Sequence, residues 1–373
     1  MTAGILKEPQ GENRVSLLPE QAATLLKKGI TVLVEDGAGD AAFANNDTYT
    51  EKGIKVVSRN EVLQQSDMVF SIQLLTPADE ASLKPNVVLL GVFQPLFQFK
   101  TIQTWSSKGL TTFSLDMLPR TTRAQAMDVL SSQANIAGYK AVLTAANLFP
   151  RYFPMFMTAA GSIPPAKVLI LGAGVAGLQA IATAKRLGAV IEVFDTRPAV
   201  KEEVMSLGAK FVEVEGAADA SKAGGYAVEQ SDEYKQKQQQ KLAESAAKAD
   251  IVITTAQIPG KPAPILLSEA MLDNMKAGSI IIDIASATGG NTPFTKNNET
   301  IVRKGVTIYG NSNLPSTMAF DSSKLYGKNV LNFLQLILTK EGEINLNFED
   351  DLVKGSCITH GGEVVNDRVK ALL

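Results

Sequence analysis

Histidine is nearly missing from this sequence: there is one, His360, in 373 residues. Cysteine is as scarce, with Cys357 alone, which excludes internal disulfides and any multi-cysteine metal site. One imidazole and one thiol do not make a transition-metal site, so no metal is expected. Charge is nearly balanced, 36 basic against 38 acidic residues for a net −2. No basic field therefore points to nucleic acid or to an anionic membrane surface. Long apolar runs are absent too. "VVLLGVF" (87–93) and "VLNFLQLIL" (330–338) fall well short of the ~20 residues of a membrane span. The opening "MTAGILKEPQGENRVSLLPE" lacks a charged-then-apolar signal pattern and reads as the start of a folded domain. The chain reads as soluble and cytoplasmic.

What is present is an ordinary apolar content, 45%, over a length that suggests two domains at about 150 residues each. Short β-rich runs alternate with helical patterns. "ITVLVED" (30–36), "IKVV" (54–57), "MVFSIQL" (68–74), "VVLLGVF" and "TTFSLDM" (111–117) form one series. "KVLILGAG" (167–174), "VIEVFD" (190–195), "AKFVEV", "DIVITTA", "GSIIIDIA" and "GVTIYG" form a second. Continuous apolar strands separated by helices argue parallel sheets covered on both faces. The expected fold is α/β, with two Rossmann-like doubly wound domains joined by long helices at 131–149 and 322–340 and a cleft between them. The first domain is expected to be discontinuous, 1–132 plus 322–373, and the second to span 133–321. One polar, Gln-rich segment, 216–241, interrupts the second domain where a short connection would suffice. It reads either as a tolerated surface insertion or as a mobile lid or docking loop.

"KVLILGAGVAGLQAIATAKRLGAVIEVFDTRP" places Gly172, Gly174 and Gly177 as G-x-G-x-x-G between a β-run and a helical run. The first glycine allows the tight turn, the second lets backbone approach a pyrophosphate, and the third permits close helix–strand packing. The helix N-terminus attracts the anion. Asp195 ends the next strand about 20 residues on, as the pattern requires. Its carboxylate suits ribose hydroxyls and repels a 2′-phosphate, which favours NAD. Arg197, two residues later, leaves NADP open.

"LPRTTRAQAMDVLSSQANIAGYKA" (118–141) gathers Arg120, Arg123, Gln125, Asp128 and Ser131 at the end of a candidate strand. One reading is a solvated helix start with Asp128 paired to an arginine. The other is a pocket wall whose donors and acceptors hold a neutral carboxamide such as nicotinamide.

These blocks, with "KEPQGENRVSLLPE", "GGYA" and "IVITTAQIPGKPAP", resemble the NAD(H)-binding component, domain I, of the proton-translocating NAD(P) transhydrogenases, over essentially the whole chain. The resemblance implies that Arg120, Gln125, Asp128 and Ser131 surround the nicotinamide, with Thr121, Thr122 and Arg123 beside them. It assigns Val175 and Gly177 to the pyrophosphate turn, and Asp195, Thr196 and Arg197 to the adenosine ribose. Gly225 and Tyr226 match a loop that closes over nucleotide, with Gln238 and Gln257 lining the site. Gln257 departs from an apolar position of the family, so its backbone is the part expected to face ligand. The family implies direct hydride transfer between NAD(H) on this chain and NADP(H) on a partner, domain III. It also implies proton coupling through a membrane domain II, a homodimer, and a peripheral position on the cytoplasmic side of the inner membrane.

Alanine dehydrogenase is the nearest rival. It must move protons as well as a hydride, and its family uses a lysine and a histidine for this. The matching strands here carry Gln73 and Gln94, neither of which is a general acid or base at neutral pH. Hydride exchange between two nicotinamides needs positioning and electrostatics only. On this reading His360 is a tail residue and Cys357 is inert. A non-catalytic NAD(H)-sensing module is the third reading.

Overall fold

The computed structural model describes residues 1–214, 216 and 231–373. The chain divides into two compact units, Met1–Gln133 with Pro315–Leu373, and Ala134–Leu314.

In the first unit, strands β1 (Thr2–Ile5), β2 (Thr31–Glu35), β3 (Lys55–Val57), β4 (Met68–Phe70), β5 (Val88–Gly91) and β6 (Thr111–Ser114) are joined late in the chain by β16 (Cys357–His360) and β17 (Glu363–Val364). Their order is β17-β16-β6-β5-β4-β1-β2-β3. Neighbours are parallel except that β16 runs antiparallel to β6 and β17 to β16. Both faces are buried, as the unbroken apolar runs require. Met68, Val88 and Leu90 enter one core with Tyr326 and Phe333, while Val69 and Leu89 enter the other with Trp105 and Ile358. The order reverses between β1 and β4, so the ends of those two strands flank a topological switch point.

In the second unit, a hairpin of β7 (Phe156–Thr158) and β8 (Gly161–Ile163) precedes β9 (Lys167–Leu171), β10 (Val190–Phe194), β11 (Lys210–Phe211), β12 (Ile251–Thr254), β13 (Ile280–Asp283), β14 (Glu299–Arg303) and β15 (Val306–Gly310). The large sheet runs β11-β10-β9-β12-β13-β15-β14, parallel except for β14 at its edge. Here too the faces alternate. Val168 and Ile170 pack on one side, Leu169 and Leu171 on the other. This sheet turns at the β9–β12 pair, and the glycine-rich turn follows β9.

Several local expectations are corrected. β1 is a strand at the start of the chain, where four residues give too short a run to show a period. His360 is no tail residue: it ends β16, with Nδ1 3.1 Å from the Thr111 hydroxyl. Cys357, in the same strand, is buried, and burial pushes its thiol up to about 12. The segment expected to run as a loop to residue 241 is helical from Asp232 to Lys248, started by a Ser231 Oγ that accepts from Tyr234 N. Gly225 and Tyr226 lie outside the described residues.

Candidate functional site

The glycine-rich turn carries its own steric explanation. Gly172 has φ +104, and a Cβ there would strike the Thr255 hydroxyl. A Cβ on Gly177 would overlap the Gly172 carbonyl oxygen, so this glycine lets the helix Val175–Arg186 start against the strand end. Gly174 differs. Among the described residues no atom lies within 4 Å of the Cβ it lacks, so its bareness leaves open space above the helix N-terminus. Thr255 Oγ1 donates to the carbonyls of Leu171 and Gly172, both at 3.2 Å, fixing the turn from the neighbouring strand. Asn291 in turn grips the next residue: its Oδ1 accepts from Ala256 N at 3.2 Å and its Nδ2 donates to Ala256 O at 2.9 Å.

Asp195 directly follows β10 and is buried. Its Oδ2 accepts from Ala173 N at 2.7 Å, which joins the strand-end acid to the glycine turn. Arg197 closes on it through Nε at 2.9 Å and Nη2 at 2.7 Å. Beside this pair lies a pocket of about 180 Å³ lined by Asp195, Thr196, Pro198, Phe211, Val214 and Tyr234, with an Lys201–Glu213 ion pair also bordering it. Burial, then the Asp195 charge, raises the Tyr234 hydroxyl above its ordinary value. Gln238 shares the inward stripe of its helix with Tyr234, Leu242 and Ala246. Gln257 is exposed, and its Nε2 donates to Ile284 O at 3.3 Å.

In the polar turn of the first unit Asp128 is not paired with an arginine among the described residues. Asp128 turns to Ser131: its Oδ1 accepts from Ser131 N at 2.9 Å and its Oδ2 from Ser131 Oγ at 2.6 Å. It thereby caps the helix Val129–Leu148. Arg123 reaches away to Asp350, with both forks at 2.7 Å, and to Asp351. Arg120, Thr121, Thr122 and Gln125 are exposed. The turn is held from behind by the helix Ala319–Ile337, where Asn329 and Asn332 both donate to Ala126 O at 2.9 Å.

Sequence reasoning missed a buried network at the switch point. Glu8, just after β1, accepts from Ile72 N at 2.6 Å and Gln73 N at 2.9 Å beyond β4. Burial outweighs those bonds and pushes its carboxyl up to about 8. Burial also acts on Glu12, but the Arg14 fork, at 2.8 and 2.5 Å, holds that carboxyl below its usual range. Gln73 Nε2 donates to Glu12 at 3.2 Å, so one of the two glutamines set against alanine dehydrogenase serves as a neutral partner to a carboxylate. The signal lies in "EPQGENR" (8–14), where two acids and an arginine fall within seven residues.

Turn, strand-end acid and pocket together define a nucleotide-binding Rossmann-like fold. The chain belongs to the Alanine dehydrogenase/PNT family: the N-terminal domain of that family matches residues 4–137 and the C-terminal domain residues 141–367. It is 44% identical to the first part of the NAD(P) transhydrogenase subunit alpha of Rhodospirillum rubrum, covering 98% of both chains. A transhydrogenase structure from Sinorhizobium meliloti superposes with a TM-score of 0.89 at 42% identity, covering 98% of this chain and 100% of that one. Alanine dehydrogenase of Staphylococcus haemolyticus is more distant, 25% identical over 91% of this chain and 88% of its own. Among the described residues no helix is long and apolar enough to cross a membrane.

Proposed function

We propose that this chain is the NAD(H)-binding component of an NAD(P) transhydrogenase, exchanging hydride with NADP(H) carried by a partner. The observation that carries the reading is the end-to-end 44% identity with the first part of a transhydrogenase alpha subunit. The site supports it. The space over Gly174, the helix N-terminus at Val175, the acid at Asp195 and the adjoining pocket suit a pyrophosphate, a ribose and an adenine in that order. When bound, the nicotinamide supplies the carbon that gives or accepts hydride. Arg120, Gln125, Asp128 and Ser131 would orient its ring and carboxamide, with Tyr226 closing over it. Gly172, Gly174, Val175 and Gly177 would hold the pyrophosphate, and Thr196, Gln238, Gln257 and Gly225 would line the remainder. The second unit is then the NAD(H) domain.

Domain III would bring NADP(H), and a membrane domain II would couple the exchange to proton movement, leaving this chain peripheral to the membrane. A second copy of the chain is the partner we assign to the β7–β8 hairpin, whose residues are all exposed, with Met157 at 76% and the Phe156 ring tilted against Tyr152 with centroids 4.5 Å apart.

The test mixes this chain with a domain III loaded with NADP(H) and follows hydride exchange from NADH to an NADP analogue. Exchange that needs both proteins is the expected result. NAD-dependent turnover of alanine by this chain alone would replace the proposal with the dehydrogenase reading. Tight NADH binding without exchange would leave a sensing module.

A further inference from the structure

Asp195 has no acceptor position to spare. An ionised carboxylate offers about four lone-pair sites. Ala173 N takes one at 2.7 Å, Arg197 N a second at 2.8 Å, and the Arg197 side chain the other two through Nε at 2.9 Å and Nη2 at 2.7 Å. Two of these donors are backbone groups fixed by the turns they belong to. The other two ride on one side chain. A ribose held by a strand-end acid asks for two acceptor sites, one for each hydroxyl.

We infer that Arg197 is an internal stand-in for the adenosine ribose: its guanidinium holds the two places on Asp195 that the hydroxyls need, and it must leave for nucleotide to bind. The inference rests on the nucleotide reading above and deepens it, turning Arg197 from a ribose contact into a competitor that sets affinity. The guanidinium has somewhere to go. Glu203, exposed on the helix Lys201–Ser206, is a second carboxylate whose charge, after that of Asp195, already acts on Arg197. A guanidinium drawn toward Glu203 is also drawn off a potential 2′-phosphate. That would accommodate an arginine two residues from the acid in a site proposed to take NAD(H). Lys201, which lines the pocket, is likewise committed, to Glu213 at 2.5 Å.

Titration of the full chain with NADH and NADPH, at one fixed salt concentration, tests this. Arg197→Leu is expected to tighten NADH by about three- to tenfold, the range set by one charge-assisted fork in a largely buried place. Arg197→Lys keeps the charge but loses the fork, and should fall between wild type and Arg197→Leu. Glu203→Gln removes the resting place and should weaken NADH about twofold. Weaker or unchanged NADH binding by Arg197→Leu overturns the inference. Asp195→Asn separates the two levels. If it binds NADH like wild type, or wild type binds none, the nucleotide reading falls as well; if it loses NADH while Arg197→Leu gains nothing, only the stand-in falls.

Discussion

Arg14 Nη1 donates to Gln133 Oε1 at 2.9 Å, tying the "GENRV" loop to the first turn of a helix 119 positions along the chain. The same guanidinium grips Glu12, and both side chains are buried. Arg14→Met would strand Glu12 as an uncompensated charge, so a loss of about 3–5 kcal/mol is expected. Gln133→Leu removes that neutral acceptor and the Nε2 donation to Ser322 O at 3.2 Å, and should cost about 1–2 kcal/mol. Urea unfolding of both variants checks the ranking; equal losses would mean that the ion pair contributes little.

Gly174 and Gly177 should respond oppositely to the same added methyl. Gly177→Ala overlaps the Gly172 carbonyl oxygen and is expected to cost about 1–3 kcal/mol in stability. Gly174→Ala meets no atom of the described residues, so its melting temperature should stay at the wild-type value while NADH affinity drops. Calorimetry with and without NADH tells these apart. A destabilised Gly174→Ala, or one that binds NADH normally, would contradict the assignment.

Glu8 gives stability a pH dependence with a definite sign. Its folded-state value, about 8, lies above the ordinary 4.5, so the folded chain holds a proton that the unfolded chain releases first. This contribution is complete below pH 4.5 and is lost as pH rises toward 8, with a limiting slope of about 1.4 kcal/mol per pH unit. Glu8→Gln, which cannot ionise, should flatten unfolding free energy across pH 5–8 relative to wild type. A variant whose profile runs parallel to wild type would assign the slope to other groups.

Met157 stands 76% exposed on the β7–β8 hairpin. If a second copy covers that hairpin, Met157→Asp should shift sedimentation from dimer to monomer without lowering the melting temperature of the separated chains. A dimer that survives the substitution would place the contact elsewhere.

The sheets are readable from sequence because their strands are buried on both faces and therefore appear as unbroken apolar runs. The glycine turn is readable because strand, turn, helix and acid follow one another locally. What escapes is set by partners far apart. β16 adds to β6 across roughly 245 residues, and nothing in "CITH" announces an antiparallel edge. Arg123 looks like part of a ligand cluster because its acids, Asp350 and Asp351, lie 227 and 228 positions away. The helix at Asp232–Lys248 reads partly as loop because Gln238 occupies one of its four inward positions and breaks the apolar period. Asp128 invites an arginine partner on charge alone, yet a capping interaction is available three residues on.

Asn329 and Asn332 hold the polar turn through a single carbonyl, that of Ala126, from a helix some 200 residues downstream. On a nascent chain the nucleotide fold, built from a continuous stretch, is therefore expected to form first. The earlier-made half waits, its sheet short of two strands and its turn unanchored, until the last sixty or so residues arrive. Truncation near residue 315 should thus spare the later-made fold and ruin the earlier-made one.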